Sequence, residues 1–163
     1  MRNIAIYKAT LDNEEIDQLK SVLQAKDDLS KVLEFEEKMV KYIGAKYAIA
    51  TATSTAALHL ALSSMRLKRG DKVLMSVNSF VNLPETVRHF DAEPIFVDIN
   101  LEDMNLDIEK FEEAIIANKS KKLRAAIITF IGGLAPNLDK IYEIGKKYNI
   151  LIIEDCRAAL GTT

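Results

Sequence analysis

The sequence predicts an α/β fold in which helices cover both faces of a mainly parallel sheet. Four apolar runs are nearly continuous, which indicates strands buried on both faces: KVLMSV, PIFVDI, AAIITFI and ILIIED. Segments with the three-and-four spacing of amphipathic helices alternate with these runs. Strands joined by helices in this way form parallel sheets, so we expect one domain over residues 1–163 with a three-layer α/β/α architecture.

The helical segments are predicted from the positions of their apolar residues. One helix is expected over residues 13–23 and a second over about 33–43, which Gly44 would close as a C-terminal cap. Residues 46–50, KYAIA, indicate a short strand. A third helix follows, with one apolar face formed by Ala57, Leu58, Ala61, Leu62 and Met65. The remaining helices are expected through LPETVRHF, over residues 107–117 and through NLDKIYEIGKKY.

The composition argues against some classes of binding partner and indicates a cellular compartment. Of the 163 residues 48% are hydrophobic and 28% charged, with a net charge of -2 and no basic stripe. A nucleic acid or an anionic membrane surface is therefore not an expected partner. The single cysteine, Cys156, excludes an internal disulfide and suits a reducing compartment. With no apolar segment of signal or membrane-spanning type, we expect a cytoplasmic protein.

Two polar features lie where a ligand would bind, one at the start of an apolar helix and one at the end of an apolar strand. The stretch TATSTAALHLAL, residues 51–62, places hydroxyl groups at the start of a helix, where they suit either a phosphate seat or an ordinary helix cap. Glu154 and Asp155 end the last strand, at the edge where ligands of such sheets bind. Each carboxylate suits either a functional group or a cap, and the pattern alone leaves both interpretations open.

Common catalytic motifs are missing from the sequence. Neither the dinucleotide fingerprint G-x-G-x-x-G nor the phosphate loop G-x-x-x-x-G-K-[ST] occurs, and the pair Gly132 and Gly133 is predicted to form a turn. His59 and His89 lie in predicted helices without a second metal ligand at suitable spacing, so we expect packing or surface roles and no metal site. Cys156 has no histidine partner, and a small buried residue is a better interpretation than a nucleophile.

Four segments in order carry a resemblance to a known family: TATSTAALHLAL, GDKVLMSVNSFV, AEPIFVDINLEDMNLD and LIIEDCRAALGT. Together they resemble the sugar-nucleotide aminotransferases of the DegT/StrS type, which are fold-type I enzymes that use pyridoxal phosphate (PLP). The resemblance extends from the first helix to Thr163. It implies amination of a nucleotide-linked keto-sugar, with glutamate as the amino donor, in amino-sugar biosynthesis.

The resemblance also implies which residues hold the cofactor. The family's phosphate turn corresponds to residues 53–57, where Ser54 and Thr55 would bind the phosphate. Phe80 of NSFV matches the aromatic ring that stacks on the pyridine ring. Asp155 matches the aspartate that pairs with the pyridine nitrogen and keeps it protonated.

Three departures from the family pattern change what is expected of this chain. Ser54 stands where the family usually has glycine, and Ala158 replaces a glutamine expected near the ring hydroxyl of the cofactor. The family's cofactor-binding lysine and small C-terminal domain would lie beyond Thr163. The resemblance therefore supplies no catalytic residue, and we expect no activity from this chain alone. The alternative is a non-catalytic binding or subunit-interaction module. Under both interpretations we expect homodimerisation or self-association through an uncovered strand edge.

Overall fold

The structure divides into two compact units. The computed structural model describes residue 9 and residues 11–25 and 30–162. The units are Met1–Ala50 and Thr51–Thr163. Among the described residues, no helix is long and apolar enough to cross a membrane. The predicted site residues all fall in the second unit.

The first unit contains two of the predicted helices, α1 (Asn13–Gln24) and α2 (Ser30–Ile43). Helix α1 begins with a capping box, in which the Asp12 carboxylate accepts from the Glu14 N–H at 2.8 Å and the Glu15 carboxylate accepts from the Asp12 N–H at 2.7 Å. Helix α2 ends where Gly44 takes a φ of +67°, a left-handed conformation that glycine adopts without steric cost. Both helix predictions are confirmed.

The strand predicted for residues 46–50 is wrong, because this segment has no secondary structure. Its side chains Tyr47 and Ile49 are each 75% exposed. A strand needs a neighbouring strand to receive its backbone hydrogen bonds. In the described part of the chain, the hydrogen bond found for this segment is from the Ala50 N–H to the Glu36 carboxylate at 2.7 Å.

The second unit is built on four parallel strands in the order β2-β1-β3-β4. The strands are β1 (Lys72–Ser76), β2 (Glu93–Val97), β3 (Leu123–Thr129) and β4 (Leu151–Asp155). Strands β1 and β3 are central and almost fully buried, as their continuous apolar runs predict. All four predicted strands of this region are therefore confirmed, with ends that differ by one or two residues.

Four helices cover the two faces of the sheet: α3 (Ser54–Ser64), which precedes β1, and the connecting helices α4 (Asn82–Arg88), α5 (Ile108–Ala117) and α6 (Leu138–Tyr148). Successive residues of a strand point to opposite faces. Accordingly, Val73 and Met75 pack in one core cluster with side chains of α3 and α4, whereas Leu74 packs in a second cluster with side chains of α5 and α6. The two clusters on opposite sides of one sheet confirm the three-layer α/β/α architecture.

A short turn after β3 shapes the edge at which the parallel strands end. Residues Ile131–Gly133 form a single 3-10 turn, with φ of +61° at Gly132 and +82° at Gly133, as expected for the glycine pair. The buried Asn105 side chain fixes this turn, since it accepts from the Ile131 N–H at 3.0 Å and donates to the Leu134 carbonyl at 3.3 Å. The turn therefore has a structural role at the edge of the sheet.

Candidate functional site

The residues of the candidate site, three predicted from the sequence and Asn82 found in the structure, lie on elements that meet at the carboxyl edge of the sheet. Asp155 is the last residue of β4, and Phe80 lies in the loop that follows β1. Thr55 is in the first turn of α3, and Asn82 is the first residue of α4. Parallel strands share one carboxyl edge, and ligands of doubly wound sheets bind there.

The start of α3 combines a helix cap with two open amides. The Thr53 hydroxyl accepts from the Ala56 N–H at 3.1 Å, and the first helical bond runs from the Ala57 N–H to the Thr53 carbonyl at 3.1 Å. Within the described residues, the N–H groups of Ser54 and Thr55 have no acceptor. Thr53 therefore provides the cap, while the amides of the next two residues remain available to an anion at the positive end of the helix dipole.

Asp155 presents a buried oxygen atom that lacks a hydrogen bond. Its side chain is 14% exposed, and among the described residues no donor makes a hydrogen bond to Oδ2. The Arg157 guanidinium lies 3.4 Å from this oxygen, close enough for an ion pair but without hydrogen-bond geometry. A buried carboxylate oxygen is ordinarily hydrogen-bonded, so this one is available to a further donor.

Arg157 and Asn82 connect three of the four predicted residues. The Arg157 guanidinium lies 4.9 Å from the centroid of the Phe80 ring, and it donates to the Asn82 side-chain oxygen at 3.1 Å. The Asn82 amide in turn donates to the Thr55 hydroxyl at 3.1 Å. Thr55, Phe80 and Asp155 are thus joined in one group of contacts, which we call the edge cluster: Thr55, Phe80, Asn82, Asp155 and Arg157.

Ser54 lies outside the edge cluster although it precedes Thr55. Its side chain is exposed and, among the described residues, makes no hydrogen bond. Its contribution to the candidate site is therefore the backbone N–H group at the start of α3. The hydroxyl that contacts the cluster belongs to Thr55.

Two members of the edge cluster were not predicted from the sequence. Asn82 begins a seven-residue helix whose preceding residue makes no side-chain cap, so the sequence offered no motif that marks it. Arg157 carried one signal, a cation two residues after a strand-ending aspartate. The hydrogen bond between them joins residues 75 positions apart, which only the sheet topology brings together.

Glu154 and Cys156 point away from the edge cluster. The Tyr142 hydroxyl of α6 donates to the Glu154 carboxylate, which raises the pKa of the tyrosine to about 12. Burial, followed by the Glu154 charge, raises the pKa of the Cys156 thiol to about 11. Since a thiol is nucleophilic only as its thiolate, Cys156 is protonated and unreactive near neutral pH. This supports its interpretation as a small packing residue.

The two histidines form a ring contact on the helical layer of α3 and α4. The His59 and His89 centroids are 6.3 Å apart, and His59 also lies 4.7 Å from the Phe90 ring. Across residues 11–25 and 30–162, no three side chains of His, Cys, Asp or Glu are grouped as a metal ion would require. Both residues are exposed, so these contacts agree with the packing or surface roles predicted for the histidines.

Comparison with known proteins assigns the family. The model of the DegT/DnrJ/EryC1/StrS aminotransferase family matches residues 9–163. The chain belongs to this family. Among its relatives, an uncharacterized protein of Methanocaldococcus jannaschii is 36% identical over 149 residues, and GDP-perosamine synthase of Caulobacter vibrioides is 35% identical over 132 residues. These matches cover 91% and 81% of this chain.

A solved structure shows the same fold. It is a GDP-4-keto-6-deoxymannose-3-dehydratase with a trapped PLP-glutamate geminal diamine, with a TM-score of 0.88 and 26% identity over 99% of this chain. The chain spans 43% of that structure's length, and 37% and 34% of the two sequence relatives. Homologues of this chain are therefore nucleotide-sugar aminotransferases and dehydratases of amino-sugar biosynthesis.

Proposed function

We propose that this chain provides the PLP-recognition part of an aminotransferase that acts on nucleotide-linked keto-sugars. The observation that carries the proposal is the buried Asp155 Oδ2 without a hydrogen-bond donor at the carboxyl edge of the sheet. A protonated pyridine nitrogen is a donor that suits this oxygen, since it forms a charge-assisted hydrogen bond with a carboxylate. The residues around Asp155 also fit the other parts of PLP.

The phosphate of PLP fits the start of α3. The open N–H groups of Ser54 and Thr55 and the Thr55 hydroxyl supply donors at a helix N-terminus, which favours an anion. The serine side chain at position 54 is exposed and, among the described residues, makes no hydrogen bond. Both residues thus contribute through groups that the cap at Thr53 leaves available.

Phe80 and Asp155 would orient and polarise the pyridine ring. Phe80 is 62% exposed, so a planar ring can stack on it once the Arg157 guanidinium leaves the ring face. Asp155 would hold the proton on the ring nitrogen, because a buried carboxylate favours a neighbouring positive charge. When bound, PLP supplies an electron-accepting ring to the amino group transfer.

We propose that this part of the chain holds PLP without a covalent bond. Among the described residues, no lysine side chain makes a hydrogen bond, an ion pair or a cation–π contact with Thr55, Phe80 or Asp155. Glutamate as amino donor and a nucleotide-linked keto-sugar as acceptor are part of the proposal, supported by the relatives named above.

We also propose that copies of this chain associate with each other and that the protein is cytoplasmic. Strand β4 is at the edge of the sheet, and Leu151 on it is 55% exposed. An apolar edge strand is a surface on which a second chain pairs, which favours the homodimer or self-association expected from the sequence. The single cysteine agrees with a reducing compartment.

Titration calorimetry of the chain with PLP tests the proposed role of Asp155. The variant Asp155→Asn keeps the size of the side chain but removes the charge that pairs with the ring nitrogen. A hydrogen bond to a charged group contributes ~1.5–3 kcal/mol, so PLP should bind about ten- to a hundredfold more weakly. The control is Asp91→Asn, an exposed aspartate at φ +53°, a conformation that asparagine adopts equally well.

The proposal requires the control variant to bind PLP as tightly as the wild-type chain. Equal affinity of Asp155→Asn and the wild-type chain would show that Asp155 does not bind the ring. Complete absence of heat from PLP binding to the wild-type chain and the control would remove the proposed cofactor role altogether.

A further inference from the structure

We propose that Arg157 occupies the place of the cofactor ring and sets the affinity of this chain for PLP. The inference rests on the proposed function. Arg157 makes the two contacts that the proposed site offers to a protonated pyridine ring: it lies over the Phe80 face at 4.9 Å and beside Asp155 Oδ2 at 3.4 Å. The ring and the guanidinium therefore compete for one space.

The chemistry of the guanidinium explains why it substitutes for the ring. Like a protonated pyridine, it is planar, delocalised and positively charged, and it presents N–H donors in its plane. Such a group stacks on an aromatic face and pairs with a carboxylate at the same time. No other cationic side chain in the described residues contacts both Phe80 and Asp155.

Arg157 also occupies part of the polar network near the proposed phosphate seat. Its guanidinium donates to Asn82 at 3.1 Å, and the Asn82 amide donates to the Thr55 hydroxyl at 3.1 Å. When Arg157 moves away, the Asn82 side-chain oxygen loses this donor and the amide is free to reorient. Displacement of one side chain thus changes both the ring position and the surroundings of Thr55.

The observed contacts hold Arg157 only partly. The guanidinium does not satisfy the buried Asp155 oxygen with a hydrogen bond, and the arginine side chain remains 31% exposed. A cation–π contact and an ion pair at a partly exposed site are weak interactions. PLP also has a phosphate that binds at α3, a contact that the arginine lacks. PLP therefore displaces Arg157, and the contacts that Arg157 gives up lower the affinity for PLP by a measurable amount.

Calorimetric titration of PLP into Arg157 variants tests this competition. Arg157→Ala removes the competing group, and we expect PLP to bind about tenfold more tightly, in line with the loss of a few weak contacts. Arg157→Lys keeps the charge but not the planar group, and its affinity should lie between those of the wild-type chain and Arg157→Ala. Arg88→Ala removes an exposed arginine at the end of α4 and should leave the affinity unchanged.

Each result supports or overturns the competition. Tighter binding by Arg157→Ala, abolished when Asp155→Asn is added, supports it. Equal or weaker binding by Arg157→Ala, while Asp155→Asn still weakens binding in the wild-type background, overturns this inference and leaves the proposed function intact. No binding by the wild-type chain and by Arg157→Ala overturns both. If circular dichroism shows Arg157→Ala unfolded, Arg157→Lys decides: an affinity no tighter than wild type overturns the inference.

Discussion

Glu154 and Asp155 are adjacent carboxylates with different surroundings. Successive side chains of a strand point to opposite faces, so Glu154 meets Tyr142 of α6 while Asp155 faces the edge cluster. Glu154 is exposed and hydrogen-bonded, whereas Asp155 is mostly buried with one oxygen unpaired. Because side chains alternate along β4, the carboxylate with a structural contact and the carboxylate that suits a ligand lie on opposite faces of the strand.

The thiol of Cys156 should be unreactive near neutral pH. With a pKa of about 11, only about a thousandth of it is thiolate at pH 8. We expect slow alkylation by iodoacetamide, with a rate that rises with pH until about 11. Glu154→Gln removes the neighbouring charge, so the pKa falls and the rate at pH 8 increases. Rapid alkylation of the folded wild-type chain at pH 8 would contradict the half-buried, protonated thiol.

At the scale of elements, two buried leucines of α3 fix the helix that presents Thr55. Leu62 is 0% exposed, so Leu62→Ala should lower the free energy of unfolding by about 2–5 kcal/mol because it leaves a cavity. Leu60 on the same helix is 52% exposed, and Leu60→Ala should change the free energy of unfolding by less than about 0.5 kcal/mol. Urea denaturation measures both values, and equal losses would contradict the orientation of α3.

Elements with strong patterns were predictable, because burial imposes their periodicity. The central strands are fully covered and therefore appear in the sequence as continuous apolar runs. KYAIA, residues 46–50, has a similar local pattern, but a strand exists only where another strand receives its hydrogen bonds. A local pattern carries no information about that partner, which explains the wrong prediction.

The candidate site was predictable only in part, for a related reason. Thr55, Phe80 and Asp155 lie in segments whose resemblance to a family marks them, whereas Asn82 and Arg157 depend on contacts between distant segments. The Asn82–Arg157 hydrogen bond needs β1 and β4 to end at the same edge of the sheet. Such a contact follows from strand order, which the sequence did not provide.

At the scale of the whole molecule, the strand order leaves β2 and β4 at the edges of the sheet. Apolar side chains on edge strands favour pairing with another chain, and a lysine there opposes it. Light scattering should show self-association that increases with concentration, and Leu151→Lys on β4 should reduce it. Leu134→Lys, at a residue 52% exposed outside the strands, is the control. A wild-type chain that stays monomeric at all concentrations would contradict the prediction.

The central claim is that PLP binds at the edge cluster of this chain, and nuclear magnetic resonance locates the binding directly. PLP is titrated into the 15N-labelled chain, and the amide shifts are followed residue by residue. We expect the largest changes at Ser54, Thr55, Phe80 and Asp155, with smaller changes along the rest of α3. Changes confined to lysine-rich surface segments such as residues 119–122, with none at the edge cluster, would contradict the claim.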